Sequence, residues 1–225
     1  MTPEQIIKEL RKHTNRKNRE GMGRFGINTD KAFGISIPIL RALAKEIGKD
    51  HKLAIELWKR GFHEARILCS MIAEADKATP ALMNKWVKDF NSWDLCDQCC
   101  NNLFVYTPFV KEKIIEWNDS TKEFVKRASF VLIAVSAVHR KDWNDTDFVR
   151  FLPLIEKHSV DGRNFVKKAV NWALRGIGKR NLNLNGIAIG FAEKLCENES
   201  KSAKWIAEDA LKELTNRKIQ VRLKP

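Results

Sequence analysis

Phe124-Val-Lys-Arg-Ala128 recurs as Phe165-Val-Lys-Lys-Ala169, and an apolar helical stretch follows each copy. The two copies lie 41 residues apart. That spacing falls within the period of about 40–47 residues expected when one pair of helices repeats in the HEAT-like manner. A fainter echo, Phe62-His-Glu-Ala-Arg66, precedes another apolar stretch. A single helix pair cannot bury its own apolar face, so pairs stack on one another. The motif therefore predicts an all-α chain of HEAT-like helical repeats stacked into a curved superhelix. A basic concave face on that superhelix could hold a duplex. A compact irregular helical domain is the competing fold.

The rest of the chain agrees with the motif. Strand-like alternation is hard to find, whereas helical periodicity is nearly continuous. A helix is predicted from Thr2-Pro3, with threonine as cap and proline in the first turn. Others are predicted over Ile37–Ile47, Leu53–Lys59, His63–Ala75, Pro80–Val87, Ser92–Phe104, Pro108–Asn118, Thr121–Val138, Thr146–Glu156, Arg163–Gly178, Asn185–Cys196 and Ser202–Leu214. Gly21 to Gly34 reads as the main irregular stretch. Residues 1–225 are expected to form one repeat domain.

Composition narrows the function. Lys and Arg number 41 against 28 Asp and Glu, a formal charge of +13. Such an excess suits a polyanionic partner or simply a soluble basic protein. Its distribution favours the former. No acidic residue occurs from Gly162 to Ala192, a stretch that carries Arg163, Lys167, Lys168, Arg175, Lys179 and Arg180. A second basic region holds Arg11, Lys12, Arg16, Lys17, Arg19 and Arg24. No apolar run approaches the roughly 20 residues of a membrane span. The polar start lacks the apolar core of a signal peptide. A soluble, cytoplasmic protein is expected, nucleoid-associated if its polyanionic partner is DNA. Cys69, Cys96, Cys99, Cys100 and Cys196 show no second pair at zinc spacing, so buried structural thiols are expected in place of a metal site. The five histidines make no ligand spacing. No phosphate-cradling glycine loop and no Ser-His-Asp arrangement is present.

Three helices carry unusual residues. On Arg163–Gly178, the residues Phe165, Val166, Ala169, Val170, Ala173, Leu174 and Ile177 share one side at about 100° per residue. Lys168, Arg175 and Lys179 share another, and Trp172 lies at the border. A border tryptophan can touch sugar or base while lysines hold phosphate, or it can simply cover the core edge. On Ser92–Phe104, Trp93 and Asp97 are four apart and therefore neighbours at the margin of an apolar side. They could stabilise a cationic sugar or base. The structural alternative is helix-start chemistry, with Ser92 as cap, Asp94 near the positive helix end and Asp97 in a salt bridge. Arg127 sits within a helix that is apolar on nearly all sides. It needs an anionic partner, either an internal carboxylate such as Asp97 or a phosphate.

Taken together, Ser92-Trp-Asp-Leu-Cys-Asp97, Lys126-Arg-Ala128 and Val170-Asn-Trp-Ala-Leu-Arg175 resemble the signatures of the AlkD-type DNA alkylation repair enzymes, in the family's order. Arg24-Phe25 and Phe33-Gly34-Ile35 resemble its amino-terminal region, and the likeness runs from about Gly23 to Leu214. The resemblance implies a glycosylase that binds duplex DNA and releases cationic N3- and N7-alkylpurines. It makes Asp97 the catalytic carboxylate, with Trp93 and Trp172 as aromatic walls against the deoxyribose. Arg127 and Arg175 become DNA contacts, supported by Lys126, Arg163, Lys168 and Lys179. It also implies a lesion left largely stacked and tolerance of bulky adducts. Phe25 stands where some relatives carry tyrosine, so this chain lacks a hydroxyl there. No metal or organic cofactor, membrane or obligate protein partner is implied. Two other functions fit the residues: a non-catalytic DNA- or RNA-binding repeat module, and a protein-interaction scaffold.

Overall fold

The computed structural model describes residues 1–223 and shows helices without any strand among them. The chain divides into two compact units, Met1–Thr107 and Pro108–Pro225. No helix among the described residues is long and apolar enough to cross a membrane.

The first unit contains α1 (Pro3–Lys12), α2 (Arg16–Arg24), α3 (Ile37–Ile47), α4 (His51–Trp58), α5 (His63–Ile72), α6 (Pro80–Val87) and α7 (Trp93–Asn102). Helix α5 is its centre and packs on α1, α3, α4 and α7. The expected start at Thr2 is a full capping box. Thr2 Oγ1 accepts from the Gln5 amide, and Gln5 Oε1 accepts from the Thr2 amide at 2.8 Å. The stacked rings of Trp58 and Trp86, with centroids 4.0 Å apart, tie α4 to α6.

The second unit contains α8 (Val110–Trp117), α9 (Glu123–His139), α10 (Asp145–Val149), α11 (Leu152–His158), α12 (Asn164–Gly178), α13 (Leu182–Cys196), α14 (Lys201–Leu214) and α15 (Arg217–Gln220). Helices α9, α12 and α14 pack in a row, α12 against both neighbours. The near-isotropic apolarity of α9 matches its burial from Arg127 through Ala137. Where α9 and α12 cross they nearly touch. A Cβ on Gly176 would lie 3.1 Å from Ala134 Cα.

The repeated motif is itself a contact between repeats. Phe124 and Phe165, the first residues of its two copies, pack ring to ring at 5.6 Å. The Phe165 amide donates to Glu123 Oε1, and Arg163 Nη1 donates to the Thr121 carbonyl at 2.8 Å.

Two expectations require correction. The helix expected over Thr146–Glu156 is two helices, α10 and α11, because Pro153 in the first turn of α11 has no N–H to continue α10. The stretch from Gly21, read as irregular, begins inside α2. That helix buries no residue, so it has no apolar period to read. Asn15 starts it by accepting from the Asn18 amide at 2.9 Å.

Candidate nucleic-acid interface and excision site

In the first unit, α7 carries Trp93 and Asp97. Leu95, Cys96, Cys99 and Cys100 are fully buried and hold the helix against the core, while Trp93 and Asp97 are each half-buried at its margin. The Trp93 indole N–H donates to the Phe25 carbonyl at 3.0 Å, which fixes its ring against the end of α2. Phe25 itself is 70% exposed. Ser92 occupies the N-cap position, but its hydroxyl makes no capping bond. Asp94 does not simply face the helix dipole, as the helix-start alternative had it. Its Oδ2 lies 2.8 Å from His63 Nε2 of α5. Burial works most strongly against the Asp94 charge, yet His63, with help from Ser92 and the Leu95 amide, holds the carboxyl below its ordinary value.

The His63–Asp94 pair lies at one side of a cleft of about 680 Å³ between α2, α5 and α7. Its back wall is braced by Glu64, which is 1% exposed. That carboxylate accepts from three successive amides, Phe33 at 2.8 Å, Gly34 at 2.6 Å and Ile35 at 3.2 Å. Gly34 has φ +79°, and a Cβ there would sit 2.2 Å from the Asn15 carbonyl oxygen, so only glycine lets α2 approach this wall. Composition and periodicity gave no sign of this cleft. The available signals were Gly34 and a glutamate, Glu64, in the first turn of a helix that is mostly buried.

In the second unit, Trp172 is half-buried beside fully buried Ala173, and Lys168 is exposed with no ion pair among the described residues. The remainder of the expected basic row is less free than its sequence neighbourhood indicates. Arg175 Nη1 lies 2.6 Å from Glu213 and 3.5 Å from Asp209, and Lys179 lies 2.8 Å from Glu213. Burial opposes ionisation of Glu213, but Lys179 and Arg175 keep its carboxyl below the ordinary range. The gap in acidic residues along α12 is thus filled from α14. The signal was the four-residue spacing of Asp209 and Glu213, which matches that of Arg175 and Lys179.

Arg127 is 5% exposed, and its Nη1 donates to the Phe165 carbonyl at 2.6 Å, linking α9 to α12. Asp161 holds two of the other expected DNA contacts, Arg163 at 2.6 Å and Lys126 at 3.4 Å. Hydrogen bonding from Arg163 lowers the Asp161 carboxyl to about 2. Cys69, Cys96, Cys99 and Cys100 are buried as expected, whereas Cys196 is only half-buried, and burial raises the thiols of Cys69 and Cys99 well above their usual range.

Stacked helices, with an aromatic residue and a carboxylate one turn apart at a helix margin, define an all-α helical-repeat protein. The chain belongs to the DNA alkylation repair enzyme family, whose model matches residues 6–214. A solved structure described as a new family of proteins related to the HEAT-like repeat DNA glycosylases, with affinity for branched DNA structures, shares the fold. Its TM-score is 0.79 at 17% identity, over 93% of this chain and 94% of that one. A designed armadillo repeat protein in complex with a (KR)4 peptide aligns over 95% of this chain and 94% of its own at 13% identity, with a TM-score of 0.34. No curated protein matches the chain.

Proposed function

We propose that this protein is a DNA glycosylase that hydrolyses the N-glycosidic bond of cationic N3- and N7-alkylpurines in duplex DNA. The observation that carries the reading is the pairing of Trp93 and Asp97, one helical turn apart and partly exposed on a helix whose other face is core, in a chain of the DNA alkylation repair family. An alkylated purine already bears positive charge, so it leaves as a neutral base when the C1′–N bond breaks and takes the electron pair. The sugar becomes oxocarbenium-like. The Asp97 carboxylate stabilises that charge. Water then adds to C1′ and gives up a proton to Asp97. One well-placed electrostatic group of this kind is worth about 3–4 kcal/mol of barrier. The Trp93 face adds cation–π attraction of roughly 0.5–2 kcal/mol, a role that the family resemblance gives to Trp172 as well.

This reading leaves the lesion largely stacked and contacts it through the backbone, so no base-reading pocket is needed at the lesion. Phosphate contact falls first to exposed Lys168, then to Lys179 and Arg175, which share Glu213. Lys126 and Arg163 reach phosphate only by loosening Asp161, and Arg127 only by loosening its bond to Phe165.

Release of 7-methylguanine and 3-methyladenine from methylated duplex, compared between wild type and Asp97→Asn, tests the proposal. Wild type releases base, and the variant loses on the order of a hundredfold or more while still binding DNA. A second reading is supported by the described affinity of the fold relative for branched DNA. On that reading the chain binds DNA without excision, and neither protein releases base although both bind in a salt-dependent manner.

A further inference from the structure

Apart from Trp93, the residues lining the cleft of the first unit have no part in the excision chemistry above, yet the cleft has the features of a binding site. Its walls are largely apolar, with Met22, Ile67 and the Trp93 ring among them. Its floor is polar, since His63 and Asp94 pair there and His63 Nδ1, in a residue only 5% exposed, makes no hydrogen bond. Lys17 and Arg24, both exposed, stand on its lip. Helix α2, which supplies that lip, has Arg16, Lys17, Arg19 and Arg24 against Glu20 alone. It buries no residue, so its sequence is not explained by packing.

We propose that this cleft takes an unpaired nucleobase of bound DNA, with Lys17 and Arg24 holding the flanking phosphate. A base is planar and apolar on its faces, which the Trp93 ring and the aliphatic walls match. Its edge carries donors and acceptors, which the His63–Asp94 pair can meet. Its backbone is anionic, which fits the lip. The Glu64 bracket and the Gly34 contact keep the cleft formed without a ligand. The inference rests on the DNA-binding part of the proposed function and concerns a base other than the alkylated one.

The glycines of α2 supply the test. Gly21 lines the cleft and Gly23 does not, and a Cβ on either meets nothing within 4 Å. Gly21→Leu therefore fills cleft space without disturbing the core, and Gly23→Leu is its matched control on the same helix. The probe is a duplex carrying one bulged 2-aminopurine, compared with the same duplex fully paired. Wild type and Gly23→Leu bind the bulged duplex at least fivefold tighter and change its 2-aminopurine fluorescence. Gly21→Leu binds the two duplexes equally and leaves the fluorescence as in free DNA. No preference in wild type, or an undiminished one in Gly21→Leu, overturns the proposal. If paired duplex is bound with no preference, the cleft alone is refuted. If neither duplex is bound, the DNA-binding reading falls with it.

Discussion

Asp161 shows how a single carboxylate can organise a repeat junction. It accepts from the Arg163 amide at 3.1 Å and from its guanidinium, and it lies within reach of Lys126. Its carboxyl, lowered from 3.8 to about 2 in the folded chain, favours the folded state whenever it is ionised. The contribution is full above the unfolded value and disappears as pH falls from about 4 towards 2. By linkage it is about 2 kcal/mol. Asp161→Asn is therefore expected to lower stability by about that much at pH 7, and urea melts of the two proteins should converge near pH 2. A constant difference between them across that window would exclude the carboxylate as the source. Arg127 poses a related question, because it is buried and bound to the Phe165 carbonyl while the family resemblance gives it DNA. Arg127→Ala is expected to destabilise the fold by about 1.5–3 kcal/mol through loss of a charge-assisted hydrogen bond. A thermal melt unchanged from wild type would assign Arg127 to DNA alone.

Among the elements, the α9–α12 crossing depends on a missing side chain. Exchanging a helical glycine for a larger residue gains up to about 1 kcal/mol of helix propensity. At Gly176 that gain meets a backbone obstacle, because Ala134 Cα at 3.1 Å and its carbonyl oxygen at 3.3 Å belong to the buried stretch of α9 from Arg127 to Ala137. Overpacking by Val costs about 1–3 kcal/mol, so Gly176→Val is expected to lower the melting temperature by several degrees. Gly190 on α13 has open space at its Cβ, and Gly190→Ala is expected to raise it slightly. Differential scanning calorimetry of the pair checks both signs. Helices of this kind were legible in the sequence where burial wrote a period into it, as in α3, α6 and α12, or left a long stretch apolar all round, as in α9. Helix α2 was not, since it buries nothing. The same logic applies to the candidate site. Trp93, Asp97 and Trp172 stood out because they sit at the margins of apolar stripes. The Asp209 and Glu213 partners of Arg175 and Lys179 did not, because the bonds span 38 and 34 residues of sequence that only folding brings together.

For the molecule as a whole, the +13 charge is the quantity that the proposed DNA binding draws on. Ion pairs between neighbouring helices, such as Arg175–Glu213, remove cations from that surplus, whereas Lys168 and the cations of α2 remain exposed. A protein-interaction scaffold has no use for such an excess, whereas a phosphate-tracking surface requires it. Each phosphate neutralised on B-DNA releases counterions and contributes about −0.9 to the slope of log K against log salt. With about six contacts, affinity for paired duplex should fall about a thousandfold between 50 and 200 mM salt. Glu213→Gln sharpens this test, because the amide keeps the shape of the side chain while removing the charge that occupies Arg175 and Lys179. If those two cations face DNA, the variant binds more tightly at low salt and its slope steepens by about one to two. If its slope matches wild type, Arg175 and Lys179 serve the α12–α14 junction only, and the phosphate contacts lie with Lys168 and the exposed cations of α2.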